Sequence, residues 1–419
     1  MNASRPPLKP LDVALIALLD AATVLAEIEL VSTFEADGRV LAQDVVSALQ
    51  VPALDNSSMD GYAVRSADVA RAMEESDGVL AVSQRIAAGA SGVALEPMSV
   101  ARIFTGAPIP AGADAVVMQE DCELIATDDL THQARVRIKN VPEPGQWIRR
   151  AGEDVTSGAV VLAKGNRLTP ASLGLAASIG MHELPVARRP RVALFSTGDE
   201  LVMPGDVAPA QMKPGTIYNS NRFFLRALLM RLGCEVTDLG IVPDRLDATI
   251  DALRSAAKDH DLILTSGGVS VGEEDHIKPA VQALGTLDLW QIAIKPGKPF
   301  AYGQVQNAHF IGLPGNPVSS FVTFLLLVRP FLLKLQGVTD VGGRSISMRA
   351  NFAWPKADKR REFLRVKRSV NGGLDLYASQ SSGVLTSAVW GDGLLDNPPG
   401  QTIALGDTVR FIPFSEVLG

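Results

Sequence analysis

The segment from residue 188 to residue 336 alternates apolar strand-like runs with helical patterns, and this alternation limits the possible folds more than any other feature. It indicates a mostly parallel sheet with helices on both faces. Ligands bind to such sheets at the carboxyl ends of the strands. The predicted strands are Arg191–Ser196, Glu235–Ile241, Leu262–Ser266, Leu289–Ile294 and His309–Leu313, and the predicted helices are Asn221–Leu232, Leu246–Lys258, Ile277–Leu284 and Pro317–Gln336.

Four loops follow these predicted strands, and each combines glycines with polar or basic side chains. Glycine lets the backbone approach a phosphate closely, and a helix start presents partial positive charge to an anion. Lysines add full charges beside them. Together the loops predict a site for a phosphorylated anion. The candidate binding residues are Thr197, Gly198, Ser266, Gly267, Gly268, Lys295, Lys298, Gly315, Asn316 and Ser319.

Three carboxylates accompany these loops: Glu200, Asp244 and Asp275. Carboxylates next to phosphates repel them unless a cation bridges the two, so the pattern predicts bound Mg²⁺. Any one loop alone is more often a tight turn, a helix cap or a solvated loop. The joint pattern is stronger, because all four loops fall at the carboxyl ends of predicted parallel strands. Neither G-x-G-x-x-G nor G-x-x-x-x-G-K-[ST] is present, which disfavours a dehydrogenase or an ordinary nucleoside triphosphatase.

The flanking segments predict a multidomain α/β plus β architecture. Residues 51–146 contain short strand-like runs separated by turns, typical of a mostly-β unit. We expect this unit to be inserted between residues 8–50, which start with a helix at about 11–26, and residues 147–187. Thr169-Pro170 is a good helix start, since threonine can cap and proline lacks an N–H. Residues 338–419 predict a small β-barrel or sandwich.

Composition excludes several classes of protein. The formal charge is -7, with 39 Lys and Arg against 46 Asp and Glu, which argues against general nucleic-acid binding. Two cysteines and five histidines favour neither a disulfide framework nor a zinc or iron centre. Residues 11–30 are apolar but contain four carboxylates, and we expect no membrane-spanning stretch there or elsewhere. The default location is the cytoplasm.

A second group of polar residues lies in the predicted β unit and just after it. Turn chemistry explains the glycines and prolines around them. It explains less well why Asp60, Thr105 and Asp154 accompany those turns.

Nine strings of residues, in order, make the sequence resemble the molybdopterin molybdenumtransferase family, which includes bacterial MoeA and the gephyrin E-domain. They span about residues 55 to 336, and the C-terminal segment matches more loosely. The strings are DNSSMDGYAV, TGAPIPAGADAVV, RRAGEDV, FSTGDEL, SNRFFL, LGIVPD, TSGGVSVGEEDH, IKPGKPFAYG and LPGNPVSSF.

The resemblance implies four domains: a segmented helical domain (8–50 and 147–187), an inserted β domain (51–146), a molybdopterin-binding α/β domain (188–337) and a C-terminal β-barrel (338–419). It also implies a homodimer whose active site lies between the α/β domain of one subunit and the β domain of the other. The implied reaction joins molybdate to adenylylated molybdopterin with Mg²⁺ and releases AMP. The molybdopterin adenylyltransferase and molybdoenzyme maturation factors are possible partners.

The resemblance also assigns roles to individual residues. The family's acidic and hydroxyl site positions fall on Asp60, Thr105, Asp154, Glu200, Asp244 and Asp275, and its lysine loop falls on Lys295 and Lys298. In the C-terminal segment, Arg360 and Ser382 match its basic and hydroxyl positions, with Arg361 and Ser381 as alternatives. One position departs from the family: the residue before Ile-Ala-Ile-Lys is often basic, and here it is Gln291.

Three other functions stay open on the sequence. The chain could perform the adenylylation step, because the adenylyltransferase of the same pathway resembles residues 188–336 alone. It could be a scaffold of the gephyrin type, although no appended domain or long disordered linker is visible. It could also be a binding module without catalytic activity.

Overall fold

The computed structural model describes residues 8–125, 134–268 and 276–418. Its centre is a six-stranded sheet with four neighbouring parallel strands, extended at one edge by two strands that are joined on through antiparallel pairings. In spatial order the strands are Glu235–Val242, Arg191–Thr197, Leu262–Ser266, Ala308–Leu313, Pro299–Val305 and Gly285–Gln291. The chain is therefore a mixed α/β protein with a mostly parallel central sheet, as predicted.

Helices cover both faces of this sheet because its side chains alternate between two cores. Val192 and Leu194 belong to one apolar cluster, while Ala193 and Phe195 belong to the other. The first face carries helices Asn221–Arg231 and Pro317–Leu335, the second of which contains a π-helical stretch from Phe324 to Val328. The second face carries helices Leu246–Asp259 and Ile277–Leu284.

Two strands of the sheet differ from the predicted ones. The predicted strand at 289–294 begins earlier, at Gly285, and the strand Pro299–Val305 was missed. Pro299–Val305 and Ala308–Leu313 form a hairpin joined by the two residues Gln306 and Asn307. Gln306 has a φ of 52°, a conformation that glycine or asparagine usually supplies at hairpin turns. Because the turn contains no glycine, the sequence gives no clear local signal for this hairpin.

The N-terminal helix packs against the α/β unit. It spans Leu11–Ala21, five residues shorter than predicted. Its residues Ala14 and Leu18 are fully buried in the cluster that also contains Leu225 and Phe331. The apolar face of this helix is therefore covered by the α/β core.

Residues 28–50 and 155–187 share a separate core, so the two flanks of the β unit do meet. Strand Ile28–Ser32 pairs with Glu183–Ala187, and Val45–Val46 pairs with Val160–Leu162. Helix Pro170–Ser178 packs beside them.

The helix start at Thr169 gives a first prediction. Its hydroxyl accepts a hydrogen bond from the Ser172 N–H, and the Ser172 hydroxyl accepts one from the Thr169 N–H. We expect Thr169→Ala to lower local stability of the helix by about 1 kcal/mol, visible as faster hydrogen exchange of its first-turn amides. Thr169→Ser keeps the cap and is the control. Equal exchange in both variants would contradict this account.

Residues 56–149 form most of the β unit. Its six-stranded sheet contains, in spatial order, Ala115–Met118, Gly61–Val64, Ser99–Ile103, Val79–Ile86, Arg135–Ile138 and Cys122–Ile125. A separate short antiparallel pair is formed by Asn56–Ser57 and Ile148–Arg149. The helix Ser66–Glu75 was not predicted, because its short apolar stripe of Val69 and Ala72 is weak.

The C-terminal unit is a sheet that includes a short piece of the α/β unit. The order is Ile294–Lys295, Arg361–Arg368, Gly393–Asn397, Thr408–Pro413 and Ile346–Arg349, with Leu374–Leu376 paired to Arg361–Arg368. A bridge between Ala350 and Leu374 links the residue after Ile346–Arg349 to the strand Leu374–Leu376, which itself pairs with Arg361–Arg368. A short helix, Thr386–Trp390, packs beside it.

One helix in the described part of the chain, Pro317–Leu335, is long and apolar enough to cross a membrane, contrary to our expectation for the sequence. However, 78% of its most apolar window is buried inside the protein. Its residues Phe324 and Phe331 lie in the core of the α/β unit. Core helices commonly have this composition, since they are apolar on every side.

Candidate functional site

A cavity of about 660 Å³ lies at the carboxyl ends of three parallel strands. Thr197 ends the first strand, Ser266 ends the second, and the turn after Leu313 follows the third. The cavity therefore occupies the sheet edge where the sequence predicts a ligand. Its lining comprises Thr197, Glu200, Leu201, Ile217, Tyr218, Asn219, Ser220, Asn221, Ser266, Gly267, Gly268, Pro299, Pro314, Gly315, Asn316, Pro317, Ser319 and Gly383.

Two glycine turns approach each other at the floor of this cavity. Gly267 has a φ of +92°, and a Cβ added to it would lie 3.0 Å from the Thr197 carbonyl oxygen. A Cβ on Gly315 would lie 3.8 Å from the Gly267 Cα. The Gly315 carbonyl accepts a hydrogen bond from the Asn221 amide at 2.8 Å. Because these two residues have no side chains, their backbone atoms are directly accessible from the cavity.

Polar groups facing the cavity are available for a ligand. Asn219 is 2% exposed, and its amide nitrogen has no hydrogen-bond partner within the described residues. Buried donors are normally paired, so this one is suited to a bound acceptor. Asn316 stands at the N-cap position of the helix that begins at Pro317 and carries Ser319, and its side chain makes no capping hydrogen bond. The N–H groups at this helix start favour an anion. Sequence reasoning missed Asn219, although it adjoins the string SNRFFL.

The predicted magnesium ligands are only partly brought together. Glu200 lines the cavity, and Asp244 accepts a 3.4 Å hydrogen bond from the Thr197 hydroxyl. Gly198 has a φ of +141°, and a Cβ there would lie 2.5 Å from a Glu200 carboxylate oxygen. Asp275 lies outside the described residues. Among residues 8–125, 134–268 and 276–418, no three His, Cys, Asp or Glu side chains are grouped as metal ligands.

Lys295 is not among the residues that line the cavity, and the structure places it against the C-terminal unit. Ile294–Lys295 pairs in parallel with Arg361–Glu362 of the C-terminal unit. This pairing turns Lys295 towards that unit, and its ammonium lies 2.9 Å from Glu362 and 3.3 Å from Asp358. Lys298 is half-buried on the same loop, where its carbonyl accepts a hydrogen bond from Ile292.

Arg360 lies in the same charged group. Its guanidinium binds both oxygens of Asp358, at 3.0 and 2.8 Å. Burial lowers the pKa of the Lys295 ammonium, but its bonds to Glu362 and Asp358 outweigh burial and raise the pKa above its ordinary value. Local patterns did not reveal Asp358 or Glu362, because strand pairing brings them to Lys295 across more than 60 residues of chain.

Ser382 connects the C-terminal unit to the cavity. Its carbonyl accepts a 2.9 Å hydrogen bond from the Val318 N–H, in the first turn of the helix that carries Ser319. The next residue, Gly383, lines the cavity. Arg361, the alternative to Arg360, instead binds both oxygens of Asp396. Both arginines thus bind a carboxylate through two oxygens, but the Asp396 partner of Arg361 is 1% exposed, whereas the Asp358 partner of Arg360 is 20% exposed and also contacts Lys295.

The predicted residues of the β unit form a separate group. Asp60 accepts hydrogen bonds from the N–H and hydroxyl of Thr105, at 2.8 and 2.7 Å. Asp154 lines a second cavity, of about 390 Å³, with Val51, Pro52, Asn56, Arg149 and Glu153. In the described ranges, the residues that line the first cavity all lie between 197 and 383. Within the described part of the chain, the two groups of predicted residues therefore do not share a cavity.

The Asp60–Thr105 pair gives a pH prediction. The N–H and then the hydroxyl of Thr105 hold the pKa of Asp60 below its ordinary value. A carboxyl group whose pKa is lower in the folded than in the unfolded protein stabilises the folded state at pH values above its unfolded pKa. That contribution is lost as the pH falls through the pKa of the folded state. We expect Thr105→Val to raise the pKa of Asp60, measured by NMR titration of its carboxyl carbon. Thr105→Ser should leave that pKa unchanged; equal values in the two variants would refute the assignment.

The fold and the cavity define a class: multidomain α/β proteins with a ligand cleft at the carboxyl edge of a mostly parallel sheet. Three family models match the chain, described as the MoeA N-terminal region (domain I and II) over residues 9–180, a probable molybdopterin binding domain over residues 193–334, and the MoeA C-terminal region (domain IV) over residues 347–414.

Full-length relatives agree with these matches. A Haemophilus influenzae protein named molybdopterin molybdenumtransferase is 39% identical, covering 98% of this chain and 99% of its own. A Synechococcus elongatus protein of the same name is 36% identical over 94% and 96%. A crystal structure of a molybdopterin biosynthesis MoeA protein from Pyrococcus horikoshii has a TM-score of 0.82 at 28% identity, covering 97% of this chain and all of that one. The chain belongs to the molybdopterin molybdenumtransferase family.

Proposed function

We propose that this protein is an enzyme of molybdenum cofactor biosynthesis, which inserts molybdenum from molybdate into adenylylated molybdopterin and releases AMP in the presence of Mg²⁺. The observation that carries the proposal is the 660 Å³ cavity, whose glycine turns and helix start lie together at one edge of the sheet. Backbone N–H groups in such turns bind phosphate oxygens.

The proposed ligand orientation follows from the residue types. The turns at 266–268 and 315–316 hold the phosphates, and Thr197 and Asn219 line the same cavity. Gly198 follows Thr197 and adjoins the Glu200 carboxylate. Lys298 adds charge on the neighbouring loop. Glu200 and Asp244 supply oxygen donors of the kind Mg²⁺ prefers, and we assign Asp275 to the same site by family resemblance. When bound, the metal would neutralise charge on the phosphates.

Molybdate would bind where the α/β unit meets the C-terminal unit. A tetrahedral oxyanion needs N–H, hydroxyl and cationic donors. Lys295 and Arg360 supply the charges, and Ser319 and Ser382 supply hydroxyls from the helix start and its neighbour. This arrangement would place the metal source beside the dithiolene of a pterin held in the cavity.

We assign four domains to this architecture: residues 8–50 with 147–187, apart from the helix Leu11–Ala21, as a segmented dimerisation domain; 51–146 as an inserted β domain; 188–337 as the molybdopterin-binding domain; and 338–419 as a β-barrel. We place the enzyme in the cytoplasm, without nucleic-acid or membrane partners. The molybdopterin adenylyltransferase and molybdoenzyme maturation factors would supply its substrate and receive its product.

The shared active site of a homodimer explains the separate group in the β unit. Asp60, Thr105 and Asp154 would close the cavity of the partner subunit. Two inactive variants, Asp60→Asn and Lys295→Met, should then complement each other. Equal mixing and reassembly would restore about a quarter of the wild-type activity, since half of the dimers hold one intact site of two. No restored activity would exclude the shared site.

The proposed reaction is tested by AMP release from adenylylated molybdopterin. Purified protein should release AMP only when molybdate and Mg²⁺ are both present. AMP release at the same rate without molybdate would contradict the insertion step. Consumption of ATP with unmodified molybdopterin would instead identify an adenylyltransferase, and no turnover with tight binding would identify a binding module or a scaffold.

A further inference from the structure

Four charged side chains meet where the loop at 292–298 contacts the C-terminal unit. Lys295 contacts Glu362 at 2.9 Å and Asp358 at 3.3 Å, and Arg360 contacts Asp358 at 2.8 Å. Two cations are therefore matched by two carboxylates. An oxyanion drawn to Lys295 and Arg360 meets cations that already have partners.

The two carboxylates differ in the contacts that fix their positions. Glu362 is 1% exposed and lies within the strand Arg361–Arg368. Besides Lys295, it accepts hydrogen bonds from the Trp354 ring N–H at 2.8 Å and from the Asn397 amide at 3.3 Å. Removing it from this position would break strand pairing and leave buried donors unpaired. Glu362 therefore has a structural role.

The side chain of Asp358 is held by Arg360 and Lys295, while its backbone carbonyl accepts a 2.7 Å hydrogen bond from the Gly400 N–H. Its side chain is 20% exposed and lies on the irregular segment 355–360 before the strand. It binds the Arg360 guanidinium through both oxygens, accepts the Arg360 N–H at 3.0 Å, and contacts Lys295. Moving it breaks no strand pair.

A carboxylate bound in this way uses the same donors as a tetrahedral oxyanion, because both engage a guanidinium through two oxygens. We propose that Asp358 is an internal competitor for the oxyanion: it occupies Lys295 and Arg360 while the pocket is empty and is displaced when a divalent tetrahedral oxyanion such as molybdate binds. The identity of the oxyanion rests on the proposed function; the competition rests on the contacts.

Protonation does not free the cations at neutral pH. The hydrogen bond from Arg360 holds the pKa of Asp358 well below its ordinary value, so Asp358 stays ionised. Only an anion that makes more bonds than one carboxylate displaces it. This would exclude weakly binding monovalent anions and make Asp358 a specificity-determining residue of the pocket.

The test measures molybdate binding to the full-length protein by isothermal titration calorimetry without the pterin. Asp358→Asn keeps the size of the side chain and removes its charge, and Asp358→Ala also removes its hydrogen bonds. We expect both variants to bind molybdate about tenfold more tightly than the wild type, since a like charge leaves the site.

The chain offers a matched control at Asp238. Its carboxylate also binds one guanidinium through both oxygens, that of Arg222 at 2.7 and 2.8 Å, and it is 22% exposed. Asp238→Asn should leave molybdate affinity unchanged. Equal or weaker binding by the Asp358 variants, or no binding by any of the proteins, would overturn the proposal. The AMP-release assay decides the proposed function separately, because the binding comparison needs no turnover.

Discussion

Gly267→Ala is expected to weaken binding of adenylylated molybdopterin by roughly a hundredfold, the effect of displacing groups that position a substrate. The added Cβ would lie 3.0 Å from the Thr197 carbonyl, on a backbone with a φ of +92°. The turn and the end of the first strand would have to move apart. Both line the proposed phosphate site. Calorimetric titration with the adenylylated pterin measures the change.

A control substitution at a second glycine distinguishes a changed cavity shape from backbone strain. Gly205 has a φ of +100°, and a Cβ on it meets nothing within 4 Å. Alanine costs about 1–2 kcal/mol in left-handed backbone at either position, but only Gly267 lines the cavity. Gly205→Ala should therefore bind normally. Equal losses in both variants would show that strain, and not the shape of the cavity, determines affinity.

Lys295→Met is expected to reduce molybdate-dependent AMP release by about a hundredfold to a thousandfold, as for loss of one charged donor in an active site. It should also lower the free energy of unfolding by about 1–3 kcal/mol, because the buried carboxylate of Glu362 loses a charged hydrogen-bond donor. Kinetics and chemical denaturation measure the two effects. The exposed Lys213 gives a control variant, Lys213→Met.

A double variant distinguishes the catalytic effect from the structural one. Replacing Glu362 by glutamine removes the charge that Lys295 neutralises. Lys295→Met with Glu362→Gln should regain part of the lost stability but none of the activity. Recovery of both would mean that Lys295 only supports the junction between the two units and does not bind molybdate.

Local sequence patterns predicted most of the central sheet. The strand Leu262–Ser266 was predicted with its bounds, because a short buried run ends in a glycine turn. The glycines at 267 and 315 follow strands that lie next to each other in the sheet, so their meeting follows from parallel topology alone.

Contacts between distant parts of the chain could not be predicted in this way. The parallel pair of Ile294–Lys295 with Arg361–Glu362 joins two units, and no periodicity in either segment indicates the other. That pair places Lys295 beside Asp358 and Glu362. The hairpin at Gln306 was missed because its turn, Gln306-Asn307, contains no glycine. The arrangement of cavity and charged cluster thus depends on tertiary contacts.

A crystal structure with adenylylated molybdopterin bound tests the central claim most directly. We expect the phosphates to contact the backbone at 266–268 and 315–316, with the dithiolene directed towards Lys295 and Arg360. Density for the nucleotide in the cavity beside Asp154, with the glycine turns empty, would contradict the account.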